Sequence, residues 1–333
     1  VRTRFTIAIP THDRRETALL ATRSALAQTR PPEQVLVLCD GCSDGTPDAL
    51  RALGSPLVNA IELPKAPGYA YAHRNRSLEL ALGDAIIWLA DDDLLTPDHL
   101  ERIGELWDSD RFDLVQANGV VVHPDDTLEW FGSDWSLPLQ RARLASANSN
   151  PMASVSLRVD VARAIGGWAV SLPRAADWDL WKRALAAGAR SVRSPEPTVL
   201  HFRATGREQA WPLRVRQNAA WFARLEDPAR LRDVKILLHR ADIEREALVQ
   251  QHIAWLKQQI ESLQQYVSSL KDALETTALQ LDATQLELEA RCRELDESNT
   301  RAAQFDACRA AAQAESARLG VHGAAADAEV ERL

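Results

Sequence analysis

Short, nearly unbroken apolar blocks alternate with amphipathic stretches through the first hundred residues. Phe5 to Thr11, Gln34 to Asp40, Leu57 to Leu63 and the run Ile86-Ile87-Trp88-Leu89-Ala90 carry little charge, as strands covered on both faces require. Between the first two, Ala18, Leu19, Ala21, Ala25 and Leu26 recur at helical spacing, which predicts a helix over Arg14 to Gln28. Further helices are expected after Thr46-Pro47 and over Tyr69 to Leu82, the latter closed by Gly83-Asp84. The resulting β-α-β-α-β alternation predicts a parallel, wound α/β sheet.

Thr96-Pro97-Asp98 resembles a helix start, with Thr96 as N-cap and Pro97 in the first helical position, leading a helix that ends at Trp107. Asp113 to His123 is expected as a strand. Residues 125–151 form an irregular loop whose Trp130, Phe131 and Trp135 either anchor it or wall a binding site, the anchor being favoured. Then follow a short strand over Met152 to Leu157, a helical turn over Asp160 to Ile165 stopped by Gly166-Gly167-Trp168, and a helix over Ala176 to Ala187. A strand pair is expected at Arg190 to Arg193 and Thr198 to Phe202. Beyond Pro228 the pattern changes. Ile253, Ile260, Val267, Leu274, Leu281, Leu288 and Leu295 repeat every seven residues, with Leu256, Leu263 and Leu270 in the companion position before Thr277 and Thr284 weaken it. Such a seam among polar residues predicts a coiled coil, and a helix of this kind needs a second helix, from its own kind or a partner. The boundaries read from sequence are therefore 1–228 and 229–333.

Composition narrows the function. A formal charge of −8 over 333 residues disfavours broad nucleic-acid binding. Cys39 and Cys42 form a C-x-x-C pair, but no second pair or matched histidines accompany it, so neither zinc nor redox chemistry is expected, and a reducing cytoplasm suits the chain. No signal peptide is visible, a start at Val1 points to a longer parent chain, and no run of about twenty apolar residues is present to span a membrane.

The chemistry concentrates where the apolar run 86–90 empties into Asp91-Asp92-Asp93. A strand that delivers acids to its C-terminal end puts them in the crevice where open α/β sheets bind ligands. Adjacent carboxylates repel unless a cation neutralises them, and Mg²⁺ or Mn²⁺ bridging a diphosphate answers that need; the plain alternative is a solvated acidic turn. Pro10-Thr11-His12 and Asp40 end neighbouring strands and can face a nucleobase, while Arg74 can reach a diphosphate.

In this order the motifs resemble the family 2 glycosyltransferases of the GT-A fold, over about residues 4 to 205. The matching pieces are the strand ending in Pro10-Thr11, the turn Asp40-Gly41-Cys42-Ser43-Asp44-Gly45-Thr46, His73-Arg74-Asn75, Gly83-Asp84, Asp91-Asp92-Asp93 followed by Pro97, Gly166-Gly167-Trp168 and Ala176-Asp177-Trp178-Asp179-Leu180. The resemblance implies a GT-A, Rossmann-like nucleotide-sugar domain with a mostly parallel central sheet. It also implies an inverting, Mn²⁺- or Mg²⁺-dependent transfer of a sugar from a nucleotide-diphosphate donor to a glycan or lipid-linked acceptor. Bacterial surface polysaccharide synthesis in the cytoplasm is the implied setting, with the inner face of the membrane as a possible station. By the same resemblance Pro10, Thr11, Asp40, Arg74 and Asp91 hold the donor nucleotide, and Asp92, Asp93 and His201 hold the metal. Asp177 is then the general base, with Asp179 as understudy, and Trp168 and Trp178 wall the acceptor while Trp181 lies in the core. Arg203, Arg207, Arg214 and Arg216 form a basic patch, expected to be a solvated helix face rather than a lipid contact. Two departures stand out: Ala90 replaces the first acid of the metal motif, and Ala176 replaces the acid before the base. They keep alive a degenerate, sugar-binding assembly module on a coiled coil. A nucleotidyltransferase is the other rival, and the chain lacks its Gly-rich basic loop.

Overall fold

A computed structural model describes residues 2–109, 111–203 and 211–330. The chain divides into two compact units, residues 1–249 and 250–333.

The first unit opens with β1 (Phe5–Thr11), α1 (Arg15–Leu26), β2 (Gln34–Asp40), α2 (Thr46–Arg51), β3 (Val58–Leu63), α3 (Tyr71–Leu80) and β4 (Ala85–Trp88). The four strands lie parallel in the order β3-β2-β1-β4, with Ile7 beside both Val35 and Ile87. The unbroken apolar runs are explained by the pleat: Phe5, Ile7, Ile9, Ala85 and Ile87 pack on one face, and Ala8, Ile86 and Trp88 on the other. Beyond β4 come β5 (Leu94–Leu95), α4 (His99–Trp107), β6 (Leu114–Val122), β7 (Leu128–Phe131), α5 (Pro138–Arg143), β8 (Val155–Arg158), α6 (Val159–Ala164), α7 (Ala176–Ala186) and β9 (Ser191–Phe202). They extend the same sheet as β4-β8-β6-β9-β5, with β8 antiparallel to both neighbours and β7 paired to β6. The architecture is mixed α/β, its parallel half carrying the strand ends that matter for function.

Three expectations need correction. The helix after the acids starts at His99, two residues later than the Thr96-Pro97 signal implied. Leu94 and Leu95 pair with β9 and the Thr96 amide donates to the Thr198 carbonyl at 2.9 Å, so sheet pairing holds this segment extended. The stretch 125–151 is not irregular throughout, since β7 and α5 lie within it; β7 gains its order from pairing with β6 rather than from local pattern. The two strands expected near 190 and 200 are one strand, β9, whose register against β6 shifts around Asn118 to accommodate the Ser194-to-Pro197 stretch.

Helix α8 (Trp211–Glu226) and the start of α9 (Pro228–Val330) complete this unit, burying Trp221, Phe222, Leu225, Val234 and Leu238 against Leu94, Val120 and Phe202. The second unit consists of α9 from residue 250 onward. Its heptad residues, among them Ile253, Ile260, Leu263, Leu270 and Leu274, are exposed along the helix. Among the described residues no helix is long and apolar enough to cross a membrane.

Candidate functional site

The C-terminal ends of β1, β2 and β4 open into one cavity of about 320 Å³, lined by Pro10, Thr11, Asp40, Lys65, Arg74, Asp91 and Asp92. A second cavity of about 870 Å³ carries Trp130, Arg143, Asn148, Asp177, His201 and Arg203 on its walls. Ala90 and Met152 line both, so the two hollows adjoin at the end of β4. Asp92 belongs to the first and Asp177 to the second, which puts the two carboxylates singled out from sequence in neighbouring chambers of one cleft.

The three acids have separate partners. Asp91 accepts a hydrogen bond from Arg14 Nη1 at 2.9 Å. Asp92 is ion-paired to Arg214 of α8, with Arg14 at 3.9 Å from the same oxygen. Asp93 accepts from His201 Nδ1 at 3.0 Å and from the Phe202 amide at 3.1 Å. Burial, reinforced by Asp93 and Asp91, pushes the Asp92 carboxyl up to about 6 against the pull of Arg214 and Arg14. Burial opposes the charge on His201, yet Asp93 raises its pKa above the ordinary value. Asp93 and His201, expected as metal ligands, thus bind each other and tie the acidic loop to β9.

A divalent cation fits this rim through Asp92. Carboxylate oxygen is the donor such ions take, and the carboxyl's burial beside two others creates a demand for positive charge that the Arg214 guanidinium meets here. Mg²⁺-type ions are commonly held by one or two carboxylates plus substrate phosphates, and that arrangement suits the site better than a closed protein cage. Among the described residues the ligand atoms that do converge within 4.8 Å are those of His12, Asp13 and Cys42, of which His12 lines the first cavity. Cys39 is buried, with its thiol pushed up to about 12 by desolvation, and both cysteines are free.

Asp40 stands at the end of β2 with its carboxylate engaged by Lys65 Nζ, by the Ala66 amide at 2.6 Å and by His73 Nε2 at 3.1 Å. Burial would raise this carboxyl, but the Lys65 and Ala66 hydrogen bonds hold it below the usual range. Gly41 follows at φ +61°, and a side chain there would run into Lys65, so the turn needs glycine both for its backbone and for that approach.

Arg74 lies beside the stacked pair of Tyr71 and Trp168, its guanidinium carbon 5.5 and 5.3 Å from their ring centres. It donates to the Tyr69 carbonyl, has no carboxylate partner in hydrogen-bond range among the described residues, and keeps a buried Nε without a partner. Burial accordingly lowers its pKa. A half-buried guanidinium in a cavity wall, with its Nε unpartnered among the described residues, is suited to an anion. Asp177 sits in the first turn of α7, within 3.5 Å of Asn148 Nδ2, and burial raises its carboxyl against the pull of backbone amides and Arg74. Ala70 and Ala175, the residues before α3 and α7, both have positive φ (53° and 57°). Alanine tolerates that region poorly, so backbone strain accompanies the two helices that present Arg74 and Asp177.

The acceptor wall expected from Trp168 and Trp178 is not there. Trp168 is 2% exposed and packs against Trp88 (5.1 Å) and Tyr71 (5.8 Å), so its faces are already covered. Trp178 is tied down by its indole N–H, which donates to the Leu144 carbonyl at 2.6 Å, and neither ring lines either of the two adjoining cavities. Trp181 is core, as expected, and Trp135 is the buried anchor of its loop. Trp130, two residues along from the β7 start, is the indole that reaches the second cavity. Asp179 is engaged by Arg183 at 2.8 Å, and Arg183 also caps the Ile165 and Gly167 carbonyls, so the understudy acid belongs to a structural pair.

The basic patch also divides. Arg214 is buried on Asp92 rather than solvated, Arg203 lines the second cavity, Arg216 is exposed, and Arg207 lies outside the described residues. Arg14, Lys65, His73 and Asn148 were not singled out as site residues. Arg14 shares the strand-end loop with Thr11 and could have been noticed there; Arg214 is 122 residues from Asp92, and no local pattern signals such a pairing.

Comparison with known proteins bears on the family and the fold. The family model described as Glycosyl transferase family 2 matches residues 6–159, and that described as Glycosyl transferase family group 2 matches residues 85–263. The succinoglycan biosynthesis protein ExoO of Rhizobium meliloti is 32% identical over 121 residues, 34% of each chain, so the match spans about a third of that relative. Among solved structures, Staphylococcus aureus TarS 1–349 in complex with UDP-GlcNAc superposes with a TM-score of 0.52 at 16% identity, covering 62% of this chain and 60% of that one. A longer TarS structure gives 0.51 at 15% identity, covering 67% and 38%. At such identity the likeness concerns the fold.

Proposed function

The chain belongs to the family 2 glycosyltransferases, and on that premise we propose that it moves a sugar from a nucleoside-diphosphate donor to a hydroxyl of a glycan acceptor, with inversion. The observation that carries this reading is the pair of adjoining cavities: one has on its wall Arg74, half-buried and without a carboxylate partner in hydrogen-bond range among the described residues, and the other has Asp177. The first cavity takes the donor. Thr11 and Asp40 face the base, which must draw Asp40 away from Lys65, Asp91 faces the ribose, and Arg74 binds the diphosphate.

The second cavity takes the acceptor. Its lining of Asn148, Ser149, Asn150, Ser133 and Gln140 offers the hydrogen-bonding groups that a sugar needs, with the Trp130 indole to cover an apolar sugar face. Asp177, its carboxyl raised by burial, removes the proton of the acceptor hydroxyl as that oxygen attacks the anomeric carbon opposite the leaving diphosphate. A divalent ion bound at Asp92 would neutralise the departing diphosphate, the charge a Lewis acid stabilises best. Polysaccharide synthesis is the setting supported by the ExoO relative. The exposed heptad seam of α9 supports pairing with a second copy of the chain, in a two-stranded coil.

The test is donor turnover with Mn²⁺, comparing the native chain with Asp92→Ala and Asp177→Asn. UDP-GlcNAc is the first donor to try, since TarS was solved with it. Metal-dependent hydrolysis or transfer lost in Asp92→Ala supports the enzyme. Donor binding without any turnover, across a panel of nucleotide sugars and acceptors, favours the degenerate sugar-binding module.

A further inference from the structure

We infer that Arg214 is a built-in counter-cation that competes with the divalent ion for Asp92, so that cation and donor load together rather than separately. This rests on the reading of Asp92 as the carboxylate that holds the ion.

Arg214 is 9% exposed, projects from α8 and is ion-paired through Nη1 to Asp92 Oδ2. Its other arm, Nη2, is buried without a hydrogen-bond partner among the described residues. A guanidinium carries five N–H donors, and one buried and idle signals an acceptor that has yet to arrive. One turn further along α8, Asn218 is fully buried with neither amide atom hydrogen-bonded among the described residues. One turn earlier, Trp211 stacks 4.5 Å from the guanidinium of Arg14, the residue that holds Asp91. Positions 211, 214 and 218 share a helix face, and that face meets the acidic loop with its polar groups only partly satisfied.

The electrostatics explain why an arginine belongs there. Asp92, its side chain 13% exposed, stands between two other carboxylates, and a nearly buried charge with no partner is costly, so the donor-free protein needs a cation at this oxygen. A divalent ion and the guanidinium cannot both neutralise Oδ2, because at one carboxylate oxygen they repel each other. A diphosphate resolves the conflict. It brings enough negative charge and enough oxygens to take the released guanidinium, including its idle arm, while the ion takes Asp92. Donor-free cation affinity is therefore held down, and by linkage the cation and the diphosphate each raise the other's affinity.

Calorimetric titration of the full chain with Mn²⁺ alone, without nucleotide, tests this. Arg214→Gln is expected to bind Mn²⁺ at least about tenfold more tightly than the native chain, within the ordinary range of coupling between sites. Arg214→Lys, which keeps the charge, should stay close to native and guards against a folding artefact in the first variant. The gain must vanish in the double variant Asp92→Asn/Arg214→Gln. Unchanged or weaker Mn²⁺ binding by Arg214→Gln overturns the inference, as does a gain that survives loss of Asp92. Separately, Mn²⁺-dependent donor turnover that persists in Asp92→Asn refutes the reading of Asp92 itself, a result that the nucleotide-free titration does not depend on.

Discussion

Asn75 and Trp168, 93 residues apart, close a reciprocal pair of hydrogen bonds: Asn75 Nδ2 donates to the Trp168 carbonyl at 2.9 Å, and the Trp168 amide donates to Asn75 Oδ1 at 2.7 Å. The carboxamide thereby does for the turn at Gly166-Gly167 what a neighbouring strand would do, and it holds Trp168 against Arg74. Two motifs that looked independent along the chain are one structural clamp. Asn75→Ala strands both Trp168 backbone groups and is expected to cost about 2–4 kcal/mol of stability in urea unfolding. Gly167 sits at φ +65°, and a Cβ there would collide with the Asn75 carboxamide, so Gly167→Ala should destabilise the same clamp.

The two tryptophans proposed for different duties separate by experiment. Trp168→Ala empties a packed site and should cost about 3–5 kcal/mol of stability. Trp130→Ala should leave the unfolding midpoint near native and raise the acceptor KM with the donor KM unchanged. Equal effects of both changes on acceptor KM and on stability would refute the division.

The base proposed at Asp177 works only when deprotonated, and burial raises that carboxyl's pKa. The rate of transfer should therefore fall as pH drops, with the acid limb lying above the ordinary carboxylate range. Arg74 pulls this carboxyl down, so Arg74→Gln should move the limb to still higher pH, besides weakening donor binding. Asp177→Asn should lower the rate by about 10²–10⁴-fold while sparing nucleotide binding. A pH–rate profile with its acid limb unmoved by Arg74→Gln would exclude Asp177 as the titrating base.

His99 supplies a pH effect on stability rather than on rate. It is fully buried, its Nδ1 lies 2.8 Å from Thr198 Oγ1, and desolvation lowers its pKa to about 3. The folded state resists a proton that the unfolded chain accepts below its ordinary value of 6.5. Stability is thus full at higher pH and is lost as pH falls from about 6.5 toward 3, at about 1.4 kcal/mol per pH unit from this group. Urea unfolding of His99→Gln between pH 7 and pH 4 should show a slope shallower by that amount.

The exposed seam on α9 predicts self-association. Light scattering of the native chain should give twice the chain mass, and Leu263→Glu with Leu270→Glu should give the chain mass itself. Those residues lie in the second unit, so nucleotide binding by the first should be unaffected.

Much of the fold was legible because parallel strands buried on both faces leave unbroken apolar runs. β1 and β2 have the limits that their runs suggest, Thr11 and Asp40 fall at strand ends as the pattern implies, and Asp91 follows the end of β4 by three residues. Local chemistry, namely strand periodicity, glycine turns and the heptad, is written residue by residue and can be read that way. Partner choice is not. Asp92 meets Arg214 from a helix over a hundred positions away, Asp93 and His201 spend their charge on each other, and Trp168 yields the cavity to Trp130. Those outcomes depend on which element packs over which strand end, a matter of long-range pairing and volume that no window of sequence contains. The chain by itself determined the order of its elements and the edge of the sheet where the acids gather; the tertiary structure alone decided which side chains face the cleft and which neutralise one another behind it.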